Sequence, residues 1–521
     1  MSHPQHGNVP HGPADPWAGD SITFGYPQVG GAQQFEQPYD AVAGDGSPVH
    51  RRSRALIVIS IAVVVSLVLG GVALAGAYVW YGWGTTQPEA VLPGSASVFA
   101  RIDLSPGLGQ QLKLNSLAEK FPKDGKSTED FVEQIKRDLV EELGLSPLTY
   151  DADIKPWFDE RIGIAIWSTD NSARGVCALV AMASSDDAAA GTALAKVREK
   201  KGADDFGFAF NDGYAVLAEC RGSADSQVAA DAAVADAKTQ SLANRPAFAD
   251  ALADLPSGQT AVGWADLAKA TELLPRVMND AAAGAGAGTG SGTVTGEIIV
   301  GLLATNDGVD LRYRLRGGEA MSTAKDVLAE LGALPGNTAI GVSADLTGSG
   351  TAAKELEKSF GGAGGGGPFA EFGDGIEAIL GSVLSVSITD VSDDIALRVV
   401  ARAASAEKAS HIAAMFDLLS SEPGGLPQGV TVDTSGETVT VTTRGYSADG
   451  GKLADSALYR DAMDGATGTS VMAGFVNVEM LAPSLDLSAK EAANLRPVKA
   501  IGVSTGYADG ALVGLVRVII R

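Results

Sequence analysis

The stretch that decides the fold is LPGSASVFARIDL at 92–104, because it recurs without a gap as LPSGQTAVGWADL at 255–267 and LPGNTAIGVSADL at 334–346. Each copy opens on Leu-Pro and closes on Asp-Leu, at Asp103, Asp266 and Asp345. A worn fourth copy, ATGTSVMAGFVNV at 466–478, carries Asn477 and Val478 in their place. Repetition of this kind marks a supersecondary unit used several times over. Each copy reads as a Pro-led β-strand that hands over to a helix at Asp, a preferred helix N-cap.

Hairpins are expected after the helices, pairing 162–167 with 176–183, 298–304 with 309–316, 383–389 with 395–402, and 500–506 with 511–520. Two of their turns hold Asn306, Asp307 and Gly308, and Asp509 and Gly510, residue types that take the left-handed backbone of tight hairpin turns. The first and third units add a helix, near 186–201 and 405–420, and then a second hairpin turning at Asp212 and Gly213 or at Ser435 and Gly436. The expected fold class is therefore α+β. Two homologous halves, 92–320 and 333–521, would each be a mostly antiparallel sheet with helices packed on one face, joined by a connecting helix at 321–332. Ala281–Gly292 and Gly361–Gly367 read as flexible loops.

Working outward, ALIVISIAVVVSLVLGGVALAGAYVW at 55–80 is long and apolar enough for a single N-terminal transmembrane helix. Arg51, Arg52 and Arg54 precede it and no further Lys or Arg follows until Arg101, which places the N-terminus in the cytoplasm and the remainder outside. Residues 1–54 read as a disordered cytoplasmic tail, since the first fifty hold seven Pro and eight Gly and no Lys or Arg. Residues 81–91 form a linker. A cleaved signal peptide ending at Ala73, Leu74 and Ala75 is the competing reading, but 54 residues precede the apolar run and a secretory n-region is short. Gly71 and Ala75 have the spacing of a homodimer face between such helices.

The anchor after a Pro-rich tail, the strand ending Ile102, Asp103, Leu104, Ser105 and Pro106, the Lys120, Phe121, Pro122 triplet, and KPWFDER at 155–161 together resemble an uncharacterised family of membrane-anchored actinobacterial proteins, known as domain of unknown function 3352. The resemblance spans nearly the whole ectodomain. It implies architecture and location and carries over no catalytic residue.

Composition narrows the chemistry. The chain has 521 residues and a formal net charge of −24, which disfavours nucleic acid as a partner. Of five histidines, four lie in the first fifty residues, so Ser/His/Asp or Cys/His catalysis in the folded part must route through His411. Two cysteines and one such histidine make a zinc site unexpected, and no cofactor is expected. Gly502 to Gly506 match G-x-S-x-G around Ser504, yet inside a hairpin strand with no later His. Ser322 with Lys325 and Ser405 with Lys408 match S-x-x-K, each at the start of an expected helix, where Ser is a favoured cap. Gly125, Lys126 and Ser127 lack the first glycine of a P-loop, whose place Lys120 takes.

Asp103, Asp266 and Asp345 are weak ligand candidates beside their role as caps, and Trp157 is a weak ligand candidate beside its role as a core plug. Cys177 and Cys220 fall in expected strands of one unit and are a candidate disulfide in an oxidising exterior. The expected function is that of a single-pass, extracytoplasmic, non-enzymatic binding or scaffolding module of the cell envelope. Its partners would be the bilayer and an envelope protein or polymer. The alternative is a carboxylate-dependent envelope hydrolase or transferase, since a pair of carboxyl groups is enough for glycoside hydrolysis.

Overall fold

The computed structural model describes residues 86–122, 143–168, 175–220, 225–270, 295–317, 325–347, 378–391, 395–421, 429–466, 469–485 and 487–521, with 133, 134, 136–138, 141 and 272. The first half of the chain runs α1 (Pro88–Val91), β1 (Val98–Asp103), α2 (Leu108–Ala118), β2 (Phe158–Ser168), β3 (Val176–Ser184), α3 (Asp187–Lys201), β4 (Gly207–Asn211) and β5 (Tyr214–Cys220). It continues through α4 (Ser226–Thr239), α5 (Pro246–Ala253), β6 (Ala261–Asp266), β7 (Glu297–Ala304) and β8 (Gly308–Arg316). The second half runs α6 (Leu328–Gly332), β9 (Ile340–Asp345), β10 (Val383–Asp390), β11 (Ala396–Arg402), α7 (Ala406–Ser421), β12 (Thr431–Ser435) and β13 (Thr438–Thr442). After these come α8 (Ala457–Met463), β14 (Thr469–Asn477), α9 (Val478–Leu481), α10 (Ala489–Leu495), β15 (Val498–Ala508) and β16 (Ala511–Ile520).

The expected α+β arrangement of two halves, each with its own sheet, is corrected by the strand order. A single 16-stranded sheet runs β12-β13-β11-β10-β9-β14-β15-β16-β8-β7-β6-β1-β2-β3-β5-β4, and every pairing between neighbours is antiparallel. Read inward from either end, the order is the same, and the last strands of the two halves, β8 and β16, pair with each other at the middle. Pairing removes two open edges that would otherwise expose unsatisfied backbone donors and acceptors.

The expectation of helices on one face is also corrected. Alternate residues of β3 serve two cores: Cys177, Leu179, Ala181 and Ala183 pack in one with α4, and Val180 and Met182 in another with α3. A strand apolar on both sides needs a cover on both sides. The terminal hairpins supply local order: Asp212 and Gly213, and Asp509 and Gly510, all have positive φ, as a two-residue hairpin turn requires. Of the expected connecting helix, Leu328–Gly332 is helical, whereas 325–327 are not and 321–324 lie outside the described residues.

No helix among the described residues is long and apolar enough to cross a membrane. The tail, the apolar stretch at 55–80 with Gly71 and Ala75, and the loops at 281–292 and 361–367 all lie outside the described residues. Cys177 and Cys220 are direct cross-strand partners on β3 and β5 and are joined as a disulfide that closes 43 residues of chain.

The seam between β8 and β16 is held on its two faces by different chemistry. On one, Tyr313 lies across Gly514, where a Cβ would come within 2.1 Å of the ring, and its hydroxyl lies 2.6 Å from the Thr505 hydroxyl. Leu114 and Leu117 of α2 pack on this face with Val309 and Val518. On the other, Asp310 is 1% exposed and takes a two-pronged bond from Arg517 directly opposite, at 2.6 and 2.7 Å. Arg312 adds a bond at 3.1 Å to Asp310, and Arg517 reaches Asp464 at 3.1 Å. Hydrogen bonding to Asp310 raises the already high pKa of Arg517.

Breaking a buried pair leaves the remaining charge uncompensated, so Asp310→Asn should cost about 3 kcal/mol, read as a lower urea midpoint for the full chain. The double change Asp310→Leu with Arg517→Met should cost less than the single one. A loss under about 0.5 kcal/mol for Asp310→Asn, the level of an ordinary surface change, would show that the seam does not depend on this pair.

Candidate functional site: a cavity with a hydroxyl floor

The two halves diverge where strand β10 reads VLSVSITD and β13 reads TVTVT. Alternation puts Ser385 and Ser387 on one face of β10, and register extends that face across the sheet. Ser385 lies opposite Ser343 and Val400, and Val400 opposite Thr440; Ser387 lies opposite Gly341 and Arg398, and Arg398 opposite Thr442. The same ladder positions in the first half hold apolar or missing side chains except at Arg101, which stands at the place of Ser343 and pairs with Glu89. Gly163 lies opposite Arg101 and Ala181, and Ala181 opposite Val216; Ala165 lies opposite Phe99 and Leu179, and Leu179 opposite Ala218. Thus Ser387 takes the place of Ala165, and Arg398 the place of Leu179, both of which are 0% exposed.

Cover explains the difference. In the first half α1 and α4 lie on this face, and each is seated on a glycine. A Cβ on Gly163 would stand 2.4 Å from the Pro88 ring of α1, and one on Gly207 would stand 2.2 Å from the Ser226 carbonyl at the start of α4. The second half has Ser385 and Thr431 at those ladder positions. Its counterpart of α4 is absent: residues 443–452 run straight from β13 to the turn Leu453–Asp455, where the first half has 221–241 with α4 before the equivalent turn Leu242–Asn244. The helix that packs on β12 and β13 is α7, through Ala409 and Ile412 against Val439 and Val441 on the opposite face.

What remains is a cavity of about 130 Å³ between α6 and the β10–β11 ladder, with Tyr446 at one wall. Its floor is polar and tightly wired. Ser343 and Ser385 share a hydrogen bond of 2.9 Å, as do Thr338 and Ser387, and the Tyr446 hydroxyl donates to Ser387 at 3.4 Å. Glu330 is held by both prongs of Arg402, at 2.7 and 3.2 Å. Arg398 also lines the cavity, half-buried, and among the described residues its side chain has neither an ion pair nor a hydrogen bond. Such a site can hold a small polar ligand: hydroxyls donate and accept, and a free guanidinium supplies charge.

The sequence-derived candidates lie elsewhere and apart. Asp103 and Asp266 end strands β1 and β6, which are antiparallel, so the two carboxylates sit at opposite ends of the pair. Asp345 is on β9, with β14, β15, β16, β8 and β7 between it and β6. Each is engaged locally: Asp103 accepts from the Ser105 amide, Asp266 pairs with Arg245 at 2.6 Å, and Asp345 accepts from Lys325 and Thr347. Burial raises the Asp103 carboxyl. For Asp345 burial also pushes upward, but the Lys325 and Thr347 donors outweigh it and hold the carboxyl below its usual range.

Trp157 is 1% exposed, donates to the Asp153 carbonyl at 2.7 Å, and packs edge-on to Phe158. Ser504 is 4% exposed within β15, Ser405 accepts from the Lys408 amide as a cap, and His411 is exposed on α7. Ser322 and Gly125 to Ser127 lie outside the described residues. Among the described residues no three His, Cys, Asp or Glu side chains are grouped to hold a metal ion.

These observations define an antiparallel sheet protein in which one half is sealed by helices and the other keeps a small cavity over a buried hydroxyl floor. Residues 57–230 match the family described as Protein of unknown function (DUF3352). No curated protein matches the chain. A solved structure titled "Structure of crystal form I of TP0453" is similar at 9% identity over 47% of this chain and 83% of that one, with a TM-score of 0.22.

The two equivalent positions should respond oppositely to truncation. Leu179→Ala should cost about 2–5 kcal/mol as a buried cavity, whereas Arg398→Ala should stay within about 0.5 kcal/mol because no partner is lost. Urea midpoints of the two variants check this, and equal losses would mean that Arg398 is part of the packed core.

Proposed function

We propose that this chain is an extracytoplasmic, non-enzymatic binding module of the cell envelope, anchored by the apolar segment at 55–80 and using the cavity of its second half. The observation that carries the reading is the hydroxyl-lined cavity with an unpartnered arginine side chain, where the first half has Gly163, Ala165, Leu179 and Ala181 packed under two helices. Charge asymmetry around residues 51–101 supports the orientation, and the family match begins at residue 57, inside the apolar segment. The alternative, a hydrolase working through paired carboxylates, has less support, since Asp103 and Asp266 sit at opposite ends of the β1–β6 pair, Asp345 is several strands away, and each is tied to a local partner.

The reading requires the folded region to face outward. Protease added to intact spheroplasts of producing cells should degrade the region after residue 88 and spare residues 1–50; survival of that region with loss of the tail would contradict the topology. In the same preparation a fluorophosphonate probe should leave Ser504 and Ser405 unlabelled, because a serine without a base is a weak nucleophile. Stoichiometric labelling abolished by Ser504→Ala would overturn the non-enzymatic reading.

A further inference from the structure

We propose that the cavity beside Arg398 binds a compact hydroxylated carboxylate, a hydroxy acid of roughly six or seven heavy atoms; this rests on the binding reading above. Size sets the first limit. At about 130 Å³ the space is slightly smaller than an engineered cavity of about 150 Å³ that takes up benzene.

Charge sets the second. Glu330 and Arg402 neutralise each other through two hydrogen bonds at the rim, which leaves the Arg398 guanidinium as an uncompensated charge on the wall. A guanidinium fork matches a carboxylate in geometry and in charge, one against one. A phosphate dianion would exceed the single positive charge, would face the Glu330 carboxylate, and would meet the opposing field of a chain with net charge −24.

The remaining walls set the rest of the ligand. The Thr338 hydroxyl donates to the Pro335 carbonyl, so Ser387 donates to Thr338, accepts from Tyr446 and keeps one acceptor position, while Ser385, with one bond to Ser343, keeps two positions. Leu334, Pro335 and Val400 give an apolar side for a short carbon chain. The ligand thus has a carboxylate at the Arg398 end and hydroxyls along the serine side. The first half has no such site, because Leu179 fills the position of Arg398 and α1 is seated on Gly163.

Titration of the full-length chain, solubilised in dodecyl maltoside, with glycerate, glycerol and inorganic phosphate tests the assignment by calorimetry. Saturable binding of glycerate is expected, with glycerol and phosphate each at least about tenfold weaker. Arg398→Gln should weaken glycerate by at least about tenfold, and Arg398→Lys, which keeps the charge but loses the fork, by about threefold or more. If Arg398→Gln has lost its melting transition, Arg398→Lys decides. Absence of saturable glycerate binding, glycerol or phosphate binding as tightly as glycerate, or wild-type affinity in the folded variants would overturn the proposal. Such a failure would remove the carboxylate assignment alone, because outward topology and the absence of probe labelling are read independently of it.

Discussion

Pairing of Gly308–Arg316 with Ala511–Ile520 is the constraint on which the rest of the structure depends. Strand β8 closes the first half and strand β16 closes the whole chain, so the ladder between them links segments about as far apart as the two duplicated halves allow. Without it each half would end in a long edge, and edges of that kind recruit other chains. The buried Asp310 with Arg517 and Arg312 fixes register at the seam, since a slip by one residue would move the whole charged set to the face where α2 packs.

Given that shared sheet, the duplicated halves were free to differ in how they cover it. Two glycines make the difference physical. Gly163 and Gly207 let helices approach the backbone closely enough to exclude water, and the apolar rows Ala165–Leu179–Ala218 and Ala181–Val216 lie sealed beneath. Where the second half carries Ser385 and Thr431, no helix can sit so close, and the face beneath is written in hydroxyls with Arg398 among them. A buried hydroxyl without a partner is costly, and the pairs Ser343–Ser385 and Thr338–Ser387 avoid that cost by bonding to one another. A polar floor that is already satisfied can lie beneath a cavity without destabilising the sheet.

Much of this was legible in the residues. Leu-Pro and Asp-Leu mark the repeated strands because Pro and Asp act locally, through a fixed φ and a side-chain cap, and the Asp509–Gly510 turn shows itself because only certain residues tolerate its backbone. The seam was not legible, since pairing of β8 with β16 follows from long-range packing and no local signal in GVDLRYRLR names its neighbour. The hydroxyl floor was hidden for a related reason: TVTVT at 438–442 reads equally well as a solvent-facing edge, and only the sheet order shows that its hydroxyls continue the row from Ser385 and Ser387. A signal was present in the comparison of the halves, in the Ala-rich SQVAADAAVADAKT of α4 that has no counterpart between 443 and 452. Conversely, the aligned aspartates suggested a shared surface, but antiparallel pairing sends successive repeats in opposite directions and scatters them.

The account stands or falls on the two halves being one sheet. Native-state hydrogen exchange of the full-length chain, read by mass spectrometry on peptides covering 308–316 and 511–520, tests this most directly, because amides in a ladder exchange only when it opens. The account predicts that both peptides exchange as slowly as those covering 297–304 and 498–508, and that all four lose protection together as urea is raised. Rapid exchange of 308–316 and 511–520 while 297–304 and 498–508 stay protected would show two separate sheets with free edges, and would contradict it.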